Sequence, residues 1–248
     1  MEKYVFLAFD HCVEHGVHVY ENVNLDPKRI VKIAEKAKVD AIIMHIGSVI
    51  YSKPKVPVIL KVTGKTELVD EEFQIQSFFV SEEEIKRLKR KVKLIGLAAT
   101  VYVGSNNESK MIENFVKVKE IALKNNLIVT GFFYPRTKKF DKYSYEAISY
   151  AARVGCEINA DIIKTYYTGD KKSFEKVVKN CFKPIVVAGG KFVEEEEFIK
   201  IVKDIMDAGA SGIAVGRNVW QREDKEAIEL LKEIKEIVKS WVCYLIKK

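Results

Sequence analysis

Short apolar runs alternate with amphipathic stretches along the whole chain, and this alternation restricts the fold more than any other feature. The runs read as strands at Tyr4–Phe9, Ala41–Ile46, Pro57–Val62, Leu94–Val101, Leu127–Phe133, Ala160–Lys164, Pro184–Ala188 and Ser211–Val215. Helical periodicity falls near Pro27–Lys38, Lys110–Lys124, Tyr143–Cys156, Ser173–Asn180, Glu194–Ala208 and Lys225–Trp241, and a further helix is capped by Ser81, with Glu84 completing a capping box. A short polar turn follows the second run, and the irregular stretch Thr63–Val80 after the third predicts a small hairpin or lid. Strands joined through helices pair in parallel with right-handed crossovers. Eight such units in 248 residues predict an α/β fold of the closed (β/α)8 TIM barrel class, one domain spanning 1–248. The rival is an open doubly wound sheet, and it lacks its G-x-G-x-x-G turn after the first run.

Composition narrows the function classes. Hydrophobic residues make up 48% of the chain, which supports a sizeable core, and no apolar run approaches the ~20 residues of a membrane span. The start, "MEKYVFLAFD", lacks a basic region leading into a long apolar segment, so the expectation is a cytoplasmic protein without a signal peptide. Cys12, Cys156, Cys181 and Cys243 show no paired spacing and read as reduced thiols. The net charge of +7 is spread over lysines interleaved with glutamates, as in "SEEEIKRLKRK", a pattern of solvated helix faces and of heat adaptation. With no concentrated basic tail, the expectation is no nucleic-acid partner, while a mild positive field suits an anionic substrate such as a phosphate ester.

In a barrel of this kind chemistry sits where strands end and the following loops begin. In chain order those points carry Asp10 and His11, His45, Lys61 with Thr63 and Gly64, Tyr102 with Gly104 and Ser105, Tyr134-Pro135-Arg136, Lys164, Gly189-Gly190, and Gly216-Arg217. Side chains alternate along a strand, so Ile162 shares a face with Lys164, and Thr130 and Phe132 share one with Tyr134. If the upstream residues fill the barrel, Lys164 and Tyr134 point into its mouth. A lysine buried there loses proton affinity, and a neutral amine can attack a ketone to give a Schiff base that draws electrons from the adjacent C–C bond. A tyrosine hydroxyl can then move the substrate proton, and an ionised Asp10 can orient the amine or stabilise the iminium. Taken singly, such a lysine is more often a snorkelling surface residue and such an aspartate a turn cap; the joint placement carries the reading.

The glycines of "AGGK" and "VGRN" fall where barrels often build a phosphate site from backbone N–H groups, to which Arg217 adds a charge-assisted bond. The stretch "AFDHCVEHGVH" raises a second possibility, because a helical His-x-x-x-His pair with a nearby carboxylate can hold zinc. Here the histidines follow a strand and Gly16 interrupts them, so a catalytic loop supplying Asp10 is the preferred reading.

"LAFDHCVEHG", "FFYPRT", "YAARVGCEINADIIKTYYTGD", "VVAGG" and "GIAVGRNVWQ" together resemble the archaeal-type class I fructose-bisphosphate aldolases, within the wider group of deoxyribose-phosphate and related Schiff-base aldolases. The resemblance runs in order over nearly the whole chain. It implies a metal-free and cofactor-free (β/α)8 lyase, with Lys164 as the Schiff-base lysine, Tyr134 as the proton-transferring residue and Asp10 as the supporting carboxylate. It places a substrate phosphate at Gly189, Gly190, Gly216 and Arg217, and implies a homo-oligomer acting on fructose bisphosphate or fructose 1-phosphate. Alternatives are a related transaldolase-like synthase of an amino-dideoxy-heptulosonate and a non-catalytic sugar-phosphate-binding barrel. The chain departs from the family pattern at Cys12, Phe133, Thr137 and Lys191 and after Gly64, changes expected to lie around the substrate.

Overall fold

The computed structural model describes residues 2–20 and 22–245. Its main sheet is a closed parallel barrel of β1 (Tyr4–Phe9), β2 (Ala41–His45), β3 (Val58–Lys61), β6 (Leu94–Val103), β7 (Ile128–Pro135), β8 (Ile162–Thr165), β9 (Ile185–Ala188) and β10 (Gly212–Val215), with β10 pairing back onto β1. The expected barrel is therefore present. Between β3 and β6, β4 (Thr63–Gly64) and β5 (Ser77–Phe78) form an antiparallel pair, the hairpin expected in the irregular segment. The helices between strands are α2 (Pro27–Ala37), α3 (Ile46–Ser52), α4 (Glu82–Lys89), α5 (Glu108–Lys124), α6 (Tyr145–Glu157), α7 (Lys171–Lys179) and α8 (Glu195–Asp207); α1 (His11–His15) follows β1, and α9 (Arg217–Trp220) and α10 (Asp224–Leu245) follow β10. The Ser81 capping box forms as the spacing predicts, with the Ser81 side chain accepting from Glu84 N and Glu84 accepting from Ser81 N.

Strand pleating sorts the core into two layers. Phe6, Ala8, Ala41, Ile43, Ile59, Ala98, Phe132, Ile162, Val186 and Ala214 fill the barrel interior. The alternate residues, among them Leu7, Ile42, Leu60, Phe133 and Ile163, pack outward in the core they share with the helices. Phe133 meets Phe115 of α5 at 5.2 Å between ring centres, so this departure from the family pattern lies behind the barrel wall and away from any substrate.

Several boundaries differ from the sequence expectation. The turn expected after the second strand is the helix α3, which starts directly on His45 without a side-chain cap. The fourth and fifth strands run on to Val103 and Pro135, because their extra residues pair with one another. Cys156 and Cys181, unpaired by spacing, meet with their sulfurs 2.6 Å apart; the side chain of Cys243 lies outside the described residues. Among the described residues no helix is long and apolar enough to cross a membrane.

The first and last units are fastened together by Arg29 of α2. Its Nε lies 2.6 Å from Asp224 Oδ1, and its terminal nitrogens donate to Asn24 O, Trp220 O and Arg222 O at 3.0, 2.9 and 2.6 Å. A lysine ammonium cannot reach this spread of acceptors. Arg29→Lys should therefore lower the unfolding free energy by about 2 kcal/mol, seen by circular dichroism as a fall in Tm of roughly 4–8 °C; an unchanged Tm would show that the fastening contributes little.

Candidate active site

The interior rows continue upward from the apolar floor into polar residues. Stepping by two along each strand leads from Ala8 to Asp10, Ile43 to His45, Ile59 to Lys61, Ala98 through Thr100 to Tyr102, Phe132 to Tyr134, and Ile162 through Lys164 to Tyr166. The register sets Phe132 beside Lys164 and Tyr102 beside Tyr134. A cavity of about 790 Å³ opens above this layer, and Asp10, Tyr134, Lys164, Gly189, Gly190, Gly216 and Arg217 all line it. These seven residues are thus brought to one place, whereas His45, Lys61, Gly64, Gly104 and Ser105 are not among the lining.

The two interior lysines differ in how they are used. Lys61 is fully buried; its Nζ donates to Thr63 O at 2.5 Å and lies 3.4 Å from Gln76 Oε1 and 3.7 Å from Glu14 Oε1. Lys164 is 4% exposed and its Nζ sits 4.0 Å from the centre of the Phe132 ring, with no hydrogen-bond partner among the described residues. Burial lowers the pKa of Lys164; Asp10 opposes this and Lys61 adds to it. Burial likewise works against ionising Asp10, but Lys164, His11, Lys61 and His45 outweigh it and hold its pKa at about 2. The cavity floor therefore presents a fixed carboxylate beside an amine whose proton is loosely held. Tyr134 keeps its proton: burial first, then Tyr166 and Asp10, raise its pKa well above the usual phenol value.

The first loop turns out differently from its expected form. His11–His15 is a helix, so the two histidines do stand four residues apart on one turn, their rings 6.3 Å apart. Their surroundings draw them apart. His11 Nδ1 is 3.5 Å from Asp10, whereas His15 Nδ1 is 2.6 Å from Glu67 of the hairpin segment. Burial, with Lys164 and Arg217, lowers the pKa of His11 to about 4 against the pull of Asp10. Among the described residues no group of three or more His, Cys, Asp or Glu side chains is arranged to hold a metal. The same helix presents Glu14, which accepts from Gln76 Nε2 and from the Tyr102 hydroxyl, both at 2.9 Å.

On the far wall, buried Asn218 binds the two glycine loops to each other. Its Oδ1 accepts from Val193 N at 2.8 Å, and its Nδ2 donates to Gly189 O and Lys191 O at 2.7 and 2.6 Å. Gly190 has φ +75° and open space where a Cβ would project. Gly216 also serves packing, because a Cβ there would meet His11 Cε1 at 2.6 Å and Ala8 O at 2.9 Å. The buried Nε of Arg217 has no hydrogen-bond partner among the described residues, a donor that an anion in the cavity would satisfy. Of the other departures from the family pattern, Lys191 lines the cavity, while Cys12 packs against the apolar core.

Residues 4–222 match the model of the DeoC/LacD family aldolases. The chain belongs to this family. A class 1 fructose-bisphosphate aldolase of Thermoproteus tenax is 38% identical over 242 residues, spanning 95% of this chain and 89% of that protein. One of Halobacterium salinarum is 34% identical over 235 residues, spanning 91% of this chain and 87% of that protein. Among solved structures, an archaeal fructose-1,6-bisphosphate aldolase whose catalytic lysine is covalently bound to the carbinolamine intermediate superposes with a TM-score of 0.88 at 36% identity, covering 95% of this chain and 94% of that one.

Sequence reasoning about this aldolase passed over Glu14, Gln76, Tyr166 and Asn218. Tyr166 was within reach, since it is the next inward step after Lys164. The charge arrangement carries an opposed pair of outcomes. Asp10 favours the charged form of Lys164 and Lys61 disfavours it, so Asp10→Asn should lower the pH at which the Lys164 amine becomes reactive and Lys61→Met should raise it. Site-mapped reductive methylation with formaldehyde as a function of pH measures both, and shifts in the same direction would contradict this balance.

Proposed function

We propose that the protein is a class I fructose-bisphosphate aldolase that works through a Schiff base on Lys164. The observation that carries this reading is a buried amine, without a hydrogen-bond partner among the described residues, in one cavity with the ionised Asp10 and the protonated Tyr134. The neutral Lys164 attacks the C2 ketone of the open-chain ketose, and loss of water gives an iminium. The iminium accepts the electron pair of the C3–C4 bond as a proton leaves the C4 hydroxyl. Tyr134 moves that proton and the one needed by the departing carbinolamine hydroxyl. Asp10 stabilises the positive nitrogen throughout, and protonation and hydrolysis of the enamine release the second product.

One substrate phosphate belongs at Gly189, Gly190, Gly216 and Arg217, supported by the unpartnered Arg217 Nε and the open space above Gly190. Lys65, Arg136 and Lys142 line the cavity too, on other loops, and favour a bisphosphate over fructose 1-phosphate. The chain works as one 1–248 domain in the cytoplasm, where phosphorylated sugars are retained by their charge. Assembly into a homo-oligomer is part of the same proposal, supported by exposed apolar side chains such as Leu68 (92% exposed) and Phe73 (65%).

Borohydride added in the presence of fructose 1,6-bisphosphate should label the peptide holding Lys164, and Lys164→Ala should abolish both label and cleavage; label on Lys61 would overturn the assignment. Tyr134→Phe should slow cleavage by about 10²–10⁴-fold while the imine still forms, as measured by single-turnover cleavage and trapping on the same variant. Arg217→Ala should raise KM for a phosphorylated ketose more than for its unphosphorylated analogue, and equal effects on the two would remove the phosphate from this wall.

A further inference from the structure

We propose that Tyr166 positions Tyr134 for proton transfer, by stacking on its ring while its own hydroxyl is pinned by Arg136. The proposal rests on the reading of Tyr134 as the proton-transferring residue. The Tyr134 hydroxyl makes no hydrogen bond to any described residue, although it lines the cavity. No polar contact fixes where this oxygen sits, so its place is set by how the ring is packed.

Phe132 and Tyr166 supply ring contacts to Tyr134. Phe132 meets it edge-on, with centres 6.2 Å apart and planes at 64°. Tyr166 lies face to face with it, centres 4.4 Å apart and planes at 17°. The face contact defines the ring plane, and with it the direction of the C–O bond.

Tyr166 stands just beyond Thr165, the last residue of β8, so the barrel ladder does not hold it. Side-chain contacts hold it instead. Arg136 Nη2 donates to its hydroxyl at 3.0 Å, and Tyr143 leans on its ring at 5.3 Å. Arg136 is itself fixed by donating to Pro135 O at 2.9 Å and by lying 4.7 Å over the Tyr102 ring. Its oxygen accepts from Arg136 and its ring lies on Tyr134, an arrangement that makes Tyr166 a positioning residue. The arrangement follows from the strand pattern: Phe132 pairs with Lys164, and two residues further along both chains Tyr134 reaches Tyr166.

The test is a double-mutant cycle of Tyr166→Leu and Tyr134→Phe, read by single-turnover cleavage of fructose 1,6-bisphosphate and by borohydride trapping on Lys164. Tyr166→Leu should lower kcat by about 10- to 100-fold, the range for a misplaced reacting group. KM should change much less, and trapping should persist. In the Tyr134→Phe background, where no hydroxyl is left to position, Tyr166→Leu should have no further effect on cleavage. Tyr166→Phe keeps the ring and loses only the bond to Arg136, so it should recover most of the rate, and its remaining deficit should also vanish beside Tyr134→Phe. This milder variant decides the matter if Tyr166→Leu does not fold: a deficit that persists beside Tyr134→Phe, or no deficit at all, then overturns the proposal. Equal slowing by Tyr166→Leu in both backgrounds, or normal cleavage in Tyr166→Leu while Tyr134→Phe is slow, overturns the role of Tyr166 alone. Normal cleavage in Tyr134→Phe overturns the reading of Tyr134 as well, so the two failures are told apart.

Discussion

Strand parity in a closed barrel is the constraint on which the rest of this structure depends. With every interior strand paired on both sides, a residue faces either the axis or the helices, and the choice alternates. The chain fills the lower interior rows with Phe6, Ile43, Ile59, Phe132 and Ile162, all buried in one apolar cluster. The next inward positions hold Asp10, His45, Lys61, Thr100 and Lys164, with Thr130 the polar residue buried in the layer below, beside Ala98 and Ile162. The site is desolvated from below because the floor is apolar, and open above because the strands end. A slip of one residue in any strand would send its polar member among the helices.

Desolvation from below explains why the charges come as a balanced set. A lone carboxylate or ammonium at this depth would neutralise itself, since burial opposes the charged form of either. Asp10 and Glu14 face Lys61 and Lys164 across the same small space, and each anion is held ionised by the cations around it. Lys61 is fully occupied by Glu14, Thr63 and Gln76, so its part is to anchor Glu14 and to add positive potential near Lys164. Lys164 has no hydrogen-bond acceptor at its nitrogen among the described residues; the amine sits over Phe132 and faces the cavity it shares with Asp10. What separates Lys61 from Lys164, the proposed Schiff-base lysine, is the number of acceptors within reach.

Much of this was legible in the sequence, for a physical reason: strand pattern and parity are local properties. The eight strands, the capping box at Ser81 and the convergence of Asp10, Tyr134, Lys164 and Arg217 could all be read by stepping along apolar runs. What could not be read depends on contacts between distant segments. Gln76 reaches Lys61 and Tyr102 from the far arm of the hairpin, whose sequence gives no local sign of pointing inward. Asn218 acts on the backbone of Gly189 and Lys191, a role that any small polar residue in a turn could hide. The helix α3 escaped because it begins on the last strand residue, His45, without a capping side chain and with Gly47 in its first turn. Gly216 was read as an anion-binding glycine, and its close packing against His11 and Ala8, which by itself requires the missing Cβ, had no sign in the sequence.

That last point bears on how the two halves of the site are joined. Gly216 lets the loop after β10 press against His11, and Trp220, four residues on, donates its Nε1 to Ala8 O at 3.1 Å beneath the same helix. Trp220 also meets Phe9, His11 and Tyr20 ring to ring. The wall that carries Arg217 is therefore packed directly onto the strand end that carries Asp10, and Arg29 fastens the same junction from outside through Trp220 O. On the Tyr134 side the guanidinium of Arg136 lies over the Tyr102 ring and donates to Tyr166, whose ring stacks on Tyr134. An anion seated at Arg217 would thus be fixed relative to Asp10 by close packing, while the Tyr134 ring across the cavity is placed by its contacts with Phe132 and Tyr166. With the proposed phosphate site held by packing, the Tyr134 ring, proposed to transfer the proton, is the part of the site most sensitive to its immediate neighbours.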